Sequence, residues 1–279
     1  MPVDTRAATG EDARVMEELK WVPSTVDVTR PSVARMYDYY LGGSHNFEAD
    51  RAAAKQVEQI YPSVAQGAQA NRSFLRRAVR HLVAEGVDQF LDLGSGIPTV
   101  GNVHEIAQHD NPNARVVYVD FEPVAVSHSN ALLADNPNAT AVLADLRSPA
   151  AVLAGAREVL DFDRPVAVLI VAALHFVPDS DDPYGSVAEY LAAFPSGSYL
   201  VITHGTQDGI TAEEKAMADR IMQVYRNADN QLTMRSHAEV TRFFDGMEIL
   251  EPGVVLVNDW RPDAYEDPTG VYGAVARKP

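Results

Sequence analysis

The 279-residue chain contains no cysteine. A disulfide framework, thiolate metal ligation and a thiolate nucleophile are therefore all excluded, and no metal site is expected. Cations are scarce. There are 23 Lys and Arg against 39 Asp and Glu, a net charge of −16. Proteins that hold nucleic acid neutralise its phosphates with clustered basic side chains, so nucleic acid is not an expected partner. Long apolar runs are missing as well. The longest, residues 166–177, is interrupted by His175 and falls short of the roughly 20 residues a membrane-spanning helix needs. It reads as a buried strand, and no membrane partner is expected. The first twenty residues lack the basic start and apolar core of a signal peptide, which makes the cytoplasm the expected compartment. What is present, 46% hydrophobic and 22% charged residues, suits a globular chain with one large α/β domain and an accessory segment. Nothing in the sequence indicates an oligomeric state.

Residues 1–29 carry scattered charges and no sustained apolar period, the pattern of a flexible tail. Residues 30–85 read as a helical segment. Ser32 can cap a helix in which Val33, Met36, Tyr37, Tyr40 and Leu41 recur every three to four residues, and Gly42-Gly43 can end it. A second helix is expected over 50–60 and a third over 70–85, with Arg72, Arg76, Arg77 and Arg80 mostly opposite its apolar face. After Gly86, in a core unit expected to run over 86–279, strands and helices alternate as far as Tyr225, which predicts a parallel sheet covered on both faces. Strands are expected at 89–93, 115–119, 140–143, 166–172 and 198–203, with helices starting near Thr99, Pro123, Pro149 and Pro183. Thr211-Ala-Glu-Glu214 and Ser236-His-Ala-Glu239 have capping-box spacing. Two last strands, 247–257 and 270–277, are expected to form an antiparallel pair closing the edge of the sheet.

The first strand runs into Asp92-Leu-Gly94-Ser-Gly96-Ile-Pro98-Thr99. Two glycines let a backbone come close to a ligand, but the third glycine of a dinucleotide loop is replaced by Thr99, and Pro98 has no N–H to offer. Asp92 repels phosphate and suits a ligand with an ammonium group. S-adenosylmethionine has an ammonium, a sulfonium and no phosphate. Asp120, at the second tip, can accept from both ribose hydroxyls. Asp145, at the third tip, can accept from an adenine amino group while Leu146 packs on the ring. A lone aspartate at a strand end also serves as a helix cap, so it is the recurrence at three successive tips that indicates a nucleoside.

The stretches PSVARMYDYYLGG, NFEADR, ANRSFLRRAV, QFLDLGSGIPT, NVHEIA, VVYVDFEPVAVSH, ADLRSP, LHFV, GSYLVITH, EPGVV and WRPD are similar to those of an actinobacterial family of class I S-adenosylmethionine-dependent methyltransferases. That family's acceptor is unassigned, and it was formerly grouped as a domain of unknown function. The resemblance extends from Pro31 to Lys278. It implies a Rossmann-like, seven-stranded sheet with the last strand antiparallel, helices on both faces and an N-terminal helical lid. It also implies S-adenosylmethionine as donor and S-adenosylhomocysteine as product.

Candidate donor-binding residues are accordingly Asp92, Gly94, Ser95, Gly96, Asp120, Phe121, Asp145, Leu146 and Ala172, with Arg72 set against the donor carboxylate. Tyr39, Asn46 and Arg51 of the N-terminal segment are candidates for contact with donor or acceptor. Methyl transfer is an in-line displacement, so alignment and exclusion of water matter most. Where the acceptor must lose a proton, His175 and His204, after the fourth and fifth strands, are the candidate bases. The expected acceptor is a small molecule. A noncatalytic sensor of S-adenosylmethionine and a nicotinamide-dependent oxidoreductase remain as alternatives.

Overall fold

The computed structural model describes residues 23, 26–99, 101–228, 231–265 and 267–279; most of the expected N-terminal tail lies outside them. Helices α1 (Val33–Tyr40), α2 (Glu48–Ile60) and α3 (Val64–Ala84) precede the sheet. Strands β1 (Gln89–Leu93), β2 (Arg115–Asp120), β3 (Ala139–Leu143), β4 (Ala167–Val171) and β5 (Tyr199–Gly205) are all parallel, linked by α4 (Val103–Asp110), α5 (Pro123–Leu132), α6 (Pro149–Ala156) and α7 (Pro183–Ala192). Next come α8 (Ala212–Asn227), α9 (His237–Thr241) and the strands β6 (Glu248–Ile249), β7 (Val255–Leu256) and β8 (Val271–Arg277). The order across the sheet is β3-β2-β1-β4-β5-β8-β6, and β8 runs antiparallel to β5.

Alternate residues of these strands feed two cores, as the two-residue period of a strand requires. Leu91, Val117, Ile170 and Ile202 pack on one face. Phe90, Val116, Leu169 and Val201 pack on the other, against Phe74, Ala78 and Leu82 of α3. Gly86, with φ of 87°, ends α3, and the Val87 N–H returns to the Leu82 carbonyl at 3.0 Å. Arg77 does not join a solvated basic face. It is buried, and its guanidinium donates to the carbonyls of Trp260 and Val257, holding the β7–β8 loop to the sheet.

Several boundaries and one strand pairing differ from the sequence reading; the third helix, for one, starts at Val64 rather than near residue 70. The helix after β1 begins at Val103 rather than near Thr99, because Asn102 and Glu105 form a capping box; residues 94–99 and 101–102 are neither helix nor strand. The expected strand over 247–257 is broken into β6 and β7. Pro252 has no N–H for a ladder, and Gly253 turns the chain at φ of 97°, its N–H donating to the Leu250 carbonyl at 2.9 Å. Among the described residues, eight strands therefore stand where seven were expected. The last pair also does not simply close the edge, since β8 inserts between β5 and β6.

The N-terminal helices form their own apolar cluster. Met36, Tyr40, Ala54 and Val57 pack there against Ile221, Val224 and Tyr225 of α8. Gly42, at φ of 78°, stops α1. Gly43 then packs on Asp38, whose carboxylate would collide with any Cβ at that position. Asp38 accepts from the His45 N–H at 2.9 Å and from Asn46 Nδ2 at 2.8 Å, so the glycine pair is the start of a bonded loop. Gly43→Ala should lower the free energy of unfolding by roughly 1–3 kcal/mol. Urea denaturation with an unchanged midpoint would show that Asp38 does not hold this loop.

Candidate functional site

The carboxyl ends of the parallel strands open into one cavity of about 890 Å³, within the size range of small-molecule sites. Its floor is made of the β1, β2, β3 and β4 tips, where Asp92, Asp120, Asp145 and Ala172 stand. Its walls come from Tyr37 and Tyr40 of α1, Asn71 and Arg72 of α3, and Met217, Ile221 and Tyr225 of α8.

The loop after β1 is folded inward. The N–H groups of Gly94 and Ser95 both donate to the Val119 carbonyl, at 2.8 and 3.1 Å, and that of Gly96 donates to Asp120 Oδ2 at 2.7 Å. Gly94 has φ of 72°, and a Cβ there would stand 2.6 Å from that of Ala173; only glycine fits. Ala172 is itself left-handed, at φ of 56°, a strained value for alanine. Its N–H is held by Thr203 Oγ1 at 2.8 Å.

Asp92 and Asp120 are both about 5% exposed. Burial pushes Asp92 up to about 7, opposed by the Arg72 charge and reinforced by Asp120. Burial pushes Asp120 up to about 6, against the N–H bonds from Glu122 and Gly96 that favour its anion. The Glu122 N–H reaches Asp120 Oδ1 at 2.8 Å, so each carboxylate oxygen has a backbone donor, and the Phe121 N–H also favours the anion. Phe121 beside it is 53% exposed at the rim. Asp145 differs. Its bonds to the Arg147 side chain hold it below the usual carboxylate range, and Arg147 also bridges to Asp181 at 2.9 Å.

The two histidines occupy different positions. His175 lines the cavity, and its buried Nδ1 has no hydrogen-bond partner. Burial, with the nearby His204 and Arg235, pushes it down to about 3. His204 lies behind the wall, fully buried. Its Nδ1 donates to the Gly205 carbonyl at 2.8 Å, and its Nε2 accepts from Arg235 Nη1 at 2.8 Å. Burial pushes it down to about 4. Both of its nitrogens are engaged, which leaves none for a substrate proton.

Comparison with known proteins decides what this site belongs to. Residues 19–279 match the family model described as S-adenosyl methyltransferase. The chain belongs to the S-adenosyl methyltransferase family. It is 41% identical to a DUF574-family protein from Streptomyces avermitilis, with TM-score 0.86 and coverage of 91% of this chain and 99% of that one. A Thermobifida fusca protein is 40% identical, with TM-score 0.85, covering 93% and 99% of the two chains. An S-adenosylmethionine-dependent methyltransferase from Anabaena variabilis is 12% identical over 92% of this chain and 99% of its own, at TM-score 0.50, and shares the fold alone. No curated protein matches.

The methyltransferase thus brings Asp92, Gly94, Ser95, Gly96, Asp120, Phe121, Asp145, Leu146, Ala172, Arg72 and His175 around one cavity. Four candidates, Tyr39, Asn46, Arg51 and His204, are placed elsewhere. Tyr39 turns away and donates from its hydroxyl to Glu58 at 3.3 Å. Asn46 is buried on Asp38 and Gly43, where Arg51 donates to it. His204 is sealed behind Arg235. Tyr37 and Tyr40, which the apolar stripe marks as core, line the cavity as well. Arg35, Arg147 and Arg235 escaped the sequence reading, because an isolated arginine looks like surface until its partner is known.

Both raised carboxyls keep their protons to higher pH in the folded chain than in the unfolded one. The stability they confer is therefore present at low pH and lost as pH rises through about 6 and 7. Asp92→Asn should raise the stability of the ligand-free enzyme at pH 8 by roughly 1–3 kcal/mol and flatten its fall between pH 6 and 8. A melting temperature that drops at pH 8 would contradict this assignment.

Proposed function

We propose that this enzyme transfers a methyl group from S-adenosylmethionine to a small, largely apolar acceptor without net negative charge. The observation that carries the donor assignment is the inward fold of residues 94–96, whose N–H groups go to Val119 and Asp120 instead of toward a ligand. A pyrophosphate needs those amides; a nucleoside with an ammonium tail does not. This counts against a nicotinamide cofactor. Asp92 is suited to the ammonium, Arg72 to the carboxylate, Asp120 to the ribose hydroxyls, and Phe121 with Leu146 to the adenine. When bound, the donor supplies an electrophilic methyl on a sulfonium.

The acceptor side lies over β4 and β5. Phe176, Met217, Ile221, Tyr225, Leu232 and Leu256 give it an apolar wall, while Asp208 and Glu214 stand at its rim. The cations that line the cavity among the described residues are Arg72, on the donor side, and Arg147, forked between Asp145 and Asp181. An anionic acceptor would find no compensating charge. The unpartnered His175 Nδ1 can accept one hydrogen bond from the acceptor, and the unpartnered Gln207 Nε2 can donate one to it. The weak basicity of His175 supports orienting an N–H or O–H over removing its proton. Residues 31–60, through Val33, Tyr37 and Tyr40, cover the cavity and exclude water during transfer.

Calorimetric titration tests the donor. S-adenosylhomocysteine should bind, NAD should neither bind nor compete, and Phe121→Ala should weaken S-adenosylhomocysteine about tenfold. NAD binding with no response to S-adenosylhomocysteine would overturn the proposal. For the acceptor, labelled donor is incubated with a fractionated small-molecule extract of an actinobacterium. Label should pass to neutral or cationic apolar compounds, and His175→Ala should slow that transfer while leaving S-adenosylhomocysteine affinity within twofold or so.

A further inference from the structure

Arg35 is 3% exposed and makes contact with five residues. Its Nε donates to Asp50 Oδ2 of α2 at 2.9 Å, and its Nη1 donates to both carboxylate oxygens of Glu122 at 3.3 Å. Its Nη2 donates to the carbonyl oxygens of Arg30 and Asp27, and the guanidinium lies 5.3 Å from the centre of the Phe47 ring. Asp50 is satisfied without it, since the Ser32 and Phe47 N–H groups donate to its carboxylate at 2.8 and 2.7 Å. Arg35 is the cation paired with Glu122, whose carboxylate is otherwise occupied in capping α5 through the Val124 N–H at 3.3 Å.

Glu122 is also the residue whose N–H donates to Asp120 Oδ1. A buried glutamate two positions from a buried aspartate opposes that aspartate's ionisation unless a cation answers it. We propose that Arg35 is a positioning residue for donor binding, fixing Glu122 so that its N–H aims the Asp120 carboxylate and neutralising its charge so that Asp120 stays ionised. This rests on the reading in which Asp120 holds the ribose. A protonated Asp120 could not accept from both hydroxyls. Glu122 is the charge that opposes Asp120's ionisation, while Asp92 on β1 feels Arg72 on α3 in its favour and Asp120 against it. Among the described residues, Arg35 is thus the cation whose removal changes Glu122 directly. It also ties α1 and α2 to the donor side, so that the covering segment and the ribose site are secured by one side chain.

Titration of S-adenosylhomocysteine from pH 5.5 to 8.5 tests the inference in the full-length enzyme. In the unaltered chain, affinity should fall as pH drops through the region of 6 to 7. With Arg35→Met the fall should begin about one pH unit higher, costing about tenfold in affinity near neutrality. Arg35→Lys, which keeps the charge, should restore the original midpoint. Glu122→Gln alone removes the neighbouring charge and should move the midpoint down, which keeps the test open even if Arg35→Met does not fold. Asp120→Asn separates the two claims. If it abolishes binding while Arg35→Met and Glu122→Gln leave the pH profile unmoved, the inference about Arg35 is wrong and the ribose reading stands. If Asp120→Asn binds as tightly as the unaltered chain, the ribose reading itself fails.

Discussion

Keeping two carboxylates charged while nearly out of water is the constraint around which this active site is arranged. Asp92 and Asp120 sit at adjacent strand tips, both buried, in a chain already carrying a net charge of −16. Desolvation favours their protonated forms, and a donor with an ammonium and two ribose hydroxyls favours the anions. The backbone compensates in part: Gly96 and Glu122 each give Asp120 an N–H. Arg72 compensates Asp92 through its charge. The resulting poise, with both groups raised toward neutrality, is one that a ligand held as proposed would relieve.

The same arrangement explains why the cavity has two chemically distinct halves. Over β1, β2 and β3 it is lined by acids, glycines and a single exposed aromatic ring. Over β4 and β5 it is lined by methionine, leucine, isoleucine and tyrosine, with α8 as its outer wall. Arg235 belongs to the second half without touching the cavity. It donates to the carbonyls of Leu174 and Val177, to Asp179 and to His204, fixing the turn that carries His175. Burial holds both imidazole pKa values down, and the Arg235 charge adds to it. The chemistry that fits such a site is displacement between prealigned partners, with little call for a strong base.

The half of the cavity proposed for the donor was legible in the sequence as a cluster because it is local. Asp92, Gly94 and Gly96 lie within five residues, and Asp120 and Asp145 recur one βα unit apart, so a single pattern names them all. The parallel strands were legible for the same reason, as short apolar runs with helices between. The interrupted last strand was harder, since its two halves follow one apolar trend and only Pro252 and Gly253 mark the break. Long-range pairings were not readable. Arg35 and Glu122 are 87 positions apart, and each looks like an ordinary surface charge on its own helix. Asn46 and Tyr39 were drawn toward the site by composition, but a buried aspartate and a neighbouring glutamate claimed them first. His204 follows a strand as a catalytic histidine would, yet its tip is roofed by Arg235.

Proton release on binding tests the central claim most directly. S-adenosylhomocysteine is titrated calorimetrically at pH 6.5 in two buffers of different ionisation enthalpy, which gives the number of protons exchanged. With Asp92 at about 7 and Asp120 at about 6 before binding, and both ionised afterwards, about one proton should be released per ligand bound. No net exchange, or uptake, would mean that the ligand does not stabilise these two anions.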